Sequence, residues 1–210
     1  MTSAVAAPRR TQAERRARTR EALLHATIET LVGAGYAGVT TRAVAERAGV
    51  SIGALQHHFR SKAELVAAAI EHLNAELTRE FVARAPTATL SERELAEELV
   101  DVLWELHKGP LMAAMAELAV AARTDGELRD RLAPVQREAI ASTAAVATQL
   151  FPRAAAQASP AALMDTALGA MRGLALLRFV DPAAAEAMWP STRRHLLTLA
   201  FSPPATRGRS

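Results

Sequence analysis

The stretch from Thr40 to Lys62, TTRAVAERAGVSIGALQHHFRSK, restricts the fold more than any other part of the chain. It predicts two short helices joined by a tight turn. Thr40 or Thr41 caps the first helix, and Val44, Ala45 and Ala48 share one apolar face at helical spacing. Gly49 follows where a helix ends and the backbone needs positive φ. Ser51 then offers an N-cap for a second helix, Ile52 to His58. Small residues at Ala45 and Gly49 let the two helices cross closely. This is the spacing of a helix-turn-helix, whose second helix enters the major groove of DNA.

The outward candidates on that second helix are Ser51, Gly53, Ala54, Gln56 and His57. Gln56 can pair bidentately with adenine, His57 can donate to a guanine edge or a phosphate, and Ala54 can touch a thymine methyl. Gly53 lets the backbone come close to the duplex, while Leu55 and Phe59 face inward. Thr40, Thr41 and Arg42 put backbone N–H groups, the positive end of a helix dipole and a cation where a phosphate fits. Ser61-x-x-Glu64 predicts a capping box that opens a fourth helix. Lys62 falls in its first turn, an unfavourable place for a cation unless a phosphate lies near. His57 and His58 point about 100° apart on a helix and make a poor chelate, so no metal site is read.

The run from Ala48 to Leu55, AGVSIGAL, followed by His58-Phe59 and Ser61-Lys62, resembles the DNA-binding domain of TetR-family transcriptional regulators. The helix from Arg20 to Gly35 and the link Gly35-Tyr36-Ala37-Gly38-Val39-Thr40-Thr41 fit as well. The resemblance covers roughly residues 15 to 72, about a quarter to a third of the chain. One position departs from it, since the family usually has Tyr where Gln56 stands. The resemblance implies that Lys62 contacts DNA.

Charge agrees with a polyanion at one end. Residues 1–62 hold ten Lys/Arg against four Asp/Glu, and the remainder holds 15 against 18. Arg9, Arg10, Arg15, Arg16, Arg18 and Arg20 make a basic start, part arm and part first helix, able to lie along phosphates or enter a minor groove. The 210 residues lack cysteine, which suits the cytoplasm. The N-terminus has no basic start followed by an apolar core, and no uncharged apolar run is long enough for a membrane span.

Periodicity and punctuation predict an all-α chain of about nine helices. Helix 1 is expected to stop near Gly33 and Gly35, and helix 4 to run from about Lys62 to Arg84. A break at Ala85-Pro86-Thr87-Ala88-Thr89 follows. Ser91-x-x-Glu94 opens helix 5, Pro110 starts helix 6, and Thr124-Asp125-Gly126 precedes helix 7, expected to kink or restart at Pro134. Ser159-Pro160 and Asp181-Pro182 open helices 8 and 9, and Pro190 is expected to interrupt or divide helix 9. Residues 10–62 are thus assigned to a helix-turn-helix domain, 63–202 to a C-terminal effector-binding and dimerisation domain, and 1–9 and 203–210 to flexible tails.

Helices 8 and 9 show more apolar surface than one neighbour can cover, including Met171, Leu174, Leu177, Met188, Trp189, Leu196, Leu197 and Leu199. A two-fold four-helix interface would use it, and the resemblance implies such a homodimer. It also implies a small-molecule pocket in the body. Trp104, His107, Met112, Met115, Met171 and Phe179 are candidate lining residues, with Glu117 and Arg172 as polar handles. No phosphate loop, HExxH, GxSxG or metal cluster is present, and the chain is read as a non-enzyme without cofactor. These features point to a dimeric, sequence-specific repressor of transcription. It would leave a palindromic double-stranded operator when a small apolar effector binds. The alternatives are a regulator without a ligand and a nonspecific basic DNA-binding protein.

Overall fold

The computed structural model describes residues 11–84, 90–152 and 160–201. Among them are nine α-helices and no strand: α1 (Gln12–Gly38), α2 (Thr41–Ala48), α3 (Ile52–His58), α4 (Lys62–Arg84), α5 (Glu92–Lys108), α6 (Pro110–Ala122), α7 (Gly126–Leu150), α8 (Pro160–Leu177) and α9 (Pro182–Phe201). The expected break at 85–89, the Ser159 cap, Arg9, Arg10 and both tails lie outside the described residues. Contacts divide the chain into two units, with the boundary inside α4 between His72 and Leu73.

The first unit is built from short-range signals that agree with one another. Thr11 and Glu14 form a reciprocal capping box at the start of α1. Gly35, at φ 66° and ψ −179°, breaks the helical path as expected, but a last turn continues to Gly38. The core of the unit is Leu23, Leu24, Leu31, Val39, Val44, Leu55, Leu65, Val66 and Ile70, each at most 1% exposed. Each such side chain contributes about 1.5–3 kcal/mol by leaving water. Thr27 and Thr30 are also buried, and their hydroxyls donate to the Leu23 and Ala26 carbonyls at 2.7 Å. Buried hydroxyls thus cost little here, since each is satisfied within its own helix.

The second unit has its own core. Trp104, Met171, Leu174, Trp189 and Leu196 form one buried cluster drawn from α5, α8 and α9. The two indole rings stack at 4.7 Å and 14°. Arg193 of α9 grips both carboxylate oxygens of Asp101 on α5 at 2.8 and 2.9 Å and also donates to the Glu97 carbonyl. Arg178, just past α8, donates to the Lys108 carbonyl at 3.0 Å and so ties off the end of α5.

One proline expectation is corrected: α9 runs through Pro190 without a break, and α7 is continuous across Pro134, so it does not restart there. A proline removes one helical hydrogen bond and crowds the preceding turn. In α9 that cost is opposed by burial of Trp189, Leu196 and Leu197 on one face, which needs a single continuous helix. The same burial takes these three residues, with Met171 and Leu174, out of the surface expected to face a partner. Helix α8 ends at Leu177, and Phe179 lies in the turn that follows. Ser61 caps α4 by accepting from the Glu64 N–H at 3.1 Å, and the Glu64 carboxylate accepts from the Arg60 N–H at 2.8 Å.

Candidate nucleic-acid interface

The geometry of α2 and α3 follows from three local devices. Thr40 accepts from the Ala43 N–H at 3.1 Å and fixes the start of α2. Gly49 closes the helix at φ 66°, ψ 32°, with Gly49 and Val50 N–H groups returned to the Glu46 and Ala45 carbonyls. Ser51 accepts from the Ala54 N–H at 3.1 Å and starts α3. Val44, Ala45, Leu55 and Phe59 are buried beneath. Inward anchors at 55 and 59 force the opposite row of α3 outward.

That outward row is the one expected. Ser51, Gly53, Gln56 and His57 are exposed and Ala54 is half-buried. Thr40, Thr41 and Arg42 are exposed at the start of α2. Ile52, not among the candidates, is also 46% exposed on this face. A Cβ added at Gly53 would meet nothing closer than the Ser51 hydroxyl at 4.0 Å. Packing inside the chain therefore does not demand glycine there, whereas close approach of an outside backbone would. Lys62 stands apart from the other candidates, because its ammonium is directed at the Tyr36 carbonyl and ring.

Electrostatics add residues that sequence reading did not group. Arg20 lies over the Phe59 ring at 5.7 Å, and His57 and His58 meet edge-on at 5.8 Å. Partial burial lowers the His58 pKa, and Arg16, His57 and Arg20 lower it further through like charge. Arg16 and Arg20 of α1 thus converge on the histidines at the end of α3. The available signal was the i,i+4 pair Arg16 and Arg20, which puts both on one helix face. His25 and His72 also meet, edge-on at 5.1 Å, although their separation in sequence does not suggest it.

A profile of the bacterial regulatory proteins of the tetR family matches residues 23–69, the segment that holds α2 and α3. The HTH-type transcriptional repressor Rv3405c of Mycobacterium tuberculosis is 32% identical over 142 residues, which is 63% of this chain and 75% of that protein. The chain belongs to the TetR family. The HTH-type transcriptional regulator Rv2912c of the same organism is 36% identical over 124 residues, or 59% of this chain. That match spans 63% of the relative's own length. Among solved structures, the multidrug-binding protein EbrR in complex with proflavin shares the fold, with TM-score 0.60 and 25% identity. The likeness takes in 86% of this chain and 99% of that one. The TetR family consists of regulators rather than enzymes, and the helix-turn-helix is the part its profile describes.

A second feature lies in the other unit. A cavity of about 110 Å³ is lined from α5, α7, α8, α9 and Phe151 just beyond α7. Of the eight effector candidates only Met171 lines it, and Trp104 packs in the same cluster as Met171. His107 is buried and donates from Nδ1 to the Leu103 carbonyl at 2.7 Å. Met112, Met115 and Arg172 are half-buried, Glu117 is exposed, and Phe179 is 55% exposed. Sequence reading missed the contribution of α7 through Ala147 and Leu150, because small and aliphatic residues carry no chemical label.

Proposed function

We propose that this TetR-family chain is a dimeric, sequence-specific transcriptional repressor that leaves a palindromic operator when a small apolar effector binds its body. The observation that carries the reading is the division of α3. Leu55 and Phe59 are buried, while Ser51, Gly53, Gln56 and His57 form an exposed polar row. In this reading Gln56, His57 and Ala54 touch bases, and Thr40, Thr41, Arg42, Ser51 and Lys62 hold phosphates. Arg16 and Arg20 add cations at one end of the reader.

A single recognition helix reads too few base pairs to select one site in a genome, so specificity needs two on a two-fold axis. Leu176, Phe179, Val180, Met188 and Leu199 remain exposed on α8, α9 and the turn between them. They support self-association through that pair of helices. Residues 10–62 then form the reader and 63–202 the body. The relatives are named as regulators and repressors, and EbrR holds proflavin, which supports a regulated DNA-binding role in the cytoplasm. Among the described residues no helix is long and apolar enough to cross a membrane.

The test is selection of bound duplexes from a random pool with the full chain. A two-fold symmetric sequence is expected, with half-sites a helical turn or a multiple apart. Enrichment of no common sequence, with binding lost alike on all duplexes as salt rises, would instead support purely electrostatic binding.

A further inference from the structure

Helices α1 and α4 bring two imidazoles and a carboxylate to one spot. One nitrogen of His25, one of His72 and one oxygen of Glu76 all lie within 4.8 Å of one another. The two rings meet edge-on, with 5.1 Å between centres and 89° between planes. His25 and His72 both belong to the first unit. Glu76 stands one turn beyond His72 on the unbroken α4, so its place beside His72 follows from helical spacing. His25 is exposed, while His72 and Glu76 are half-buried. No local spacing announces the group, since two separate helices supply it.

An edge-on pair of imidazoles by itself is ordinary packing. The carboxylate changes its chemistry, since two neutral ring nitrogens and one anionic oxygen make a donor set for a divalent transition ion. Imidazole suits zinc and its neighbours, whereas magnesium and calcium want a shell of oxygens. Bonds of about 2.0–2.1 Å in a tetrahedral site put the donor atoms about 3.3 Å apart. Rotation of the exposed His25 and of the long Glu76 side chain closes the remaining gap without a backbone shift. Glu76 also stands 3.9 Å from Arg79, whose side chain is 72% exposed. Such an exposed pair is weak and yields to a dication.

We propose that His25, His72 and Glu76 bind one divalent transition-metal ion of the zinc class, with water in the fourth position on the exposed His25 side. The ion then joins α1 to α4. Leu24 and Ala26 beside His25, and Ile70 just before His72, are buried core residues. The ion is therefore a staple on the unit that carries α2 and α3. In the unfolded chain the donors of α1 and α4 are far apart, so the ion prefers the folded form and stabilises it by mass action. This inference goes beyond the proposed repressor function and does not depend on it, since neither operator nor effector takes part.

In the test, the full chain is stripped of metal with a chelator, dialysed, and titrated with zinc against a chromophoric chelator. Uptake of one ion per chain is expected, and magnesium in large excess should not displace it. His25→Ala, at an exposed position, and Glu76→Gln, which keeps the side-chain shape, should each weaken zinc binding by at least about tenfold. His195→Ala, exposed on α9, should leave it unchanged. No stoichiometric uptake, equal affinity in His25→Ala and the parent, or a loss in His195→Ala as large as in His25→Ala overturns the site. Displacement by magnesium overturns the ion class. Saturating zinc should raise the thermal midpoint of the parent chain and not that of His25→Ala. An equal rise in both overturns the staple between α1 and α4.

Discussion

The Lys62 ammonium lies 2.5 Å from the Tyr36 carbonyl oxygen and 3.8 Å from the centre of the Tyr36 ring. This contact joins the start of α4 to the last turn of α1, beyond the break at Gly35. It gives the first-turn cation a partner inside the protein. A phosphate contact by Lys62 would then come from a side chain that already serves the fold. Lys62→Ala is expected to lose about 1–2 kcal/mol of stability, from a charge-assisted hydrogen bond and a cation–π contact in a half-buried setting. Urea denaturation checks this part. The DNA part is checked separately, by a fall of about one unit in the salt slope of binding. Unchanged stability would remove the internal role, and an unchanged slope the phosphate role.

Gln56 is exposed on α3 and, in the proposed reading, meets a base. Gln56→Ala should alter preference at one half-site position, at a cost of about 1–3 kcal/mol for the preferred base. Binding to duplexes varied at single positions measures it. An equal loss on every duplex would move Gln56 from base reading to backbone contact.

Gly49 joins α2 to the turn with φ 66°, and a Cβ there would touch nothing within 4 Å. The cost of Gly49→Ala is therefore conformational and not steric, about 1–2 kcal/mol for a left-handed residue. Thermal denaturation should show the loss, and Gly49→Asn should recover part of it, since Asn tolerates this region better. A loss for alanine that asparagine does not reduce would point to some other cause.

His107 supplies a pH dependence whose sign is set by burial. Burial lowers its pKa, the bond to the Leu103 carbonyl raises it in part, and the Arg172 charge lowers it again. The folded chain thus resists protonating a group that the unfolded chain protonates near its ordinary value of about 6.5. Stability from this residue is present above that value and is lost as the pH falls through the lower, folded one. The urea midpoint should drop between pH 8 and 5, and the drop should be smaller in His107→Gln. Equal slopes in the two proteins would remove His107 as the source.

Much of the fold could be read before any coordinates. Thr40, Gly49, Ser51 and the Ser91–Glu94 box stand at helix ends because caps and positive-φ glycines act within a single turn. The outward row of α3 was legible for a similar reason, since Leu55 and Phe59 fix by periodicity which side remains. The added bond from the Arg60 N–H to Glu64 was not legible, because it lies outside the Ser61-x-x-Glu64 spacing.

By itself the sequence determined where helices begin and end, which helix presents a polar edge, and which third of the chain is basic. These depend on residues within a few positions of one another, where spacing translates directly into geometry. Tertiary structure alone decided that α9 runs through Pro190, that Trp189 and Leu196 turn inward, and that an apolar cavity lies among α5, α7, α8 and α9. Those outcomes turn on partners far away in the chain, as Arg193 depends on Asp101. A residue's own type states that it will be buried or paired, but the neighbour that buries or pairs it is supplied by the packed fold.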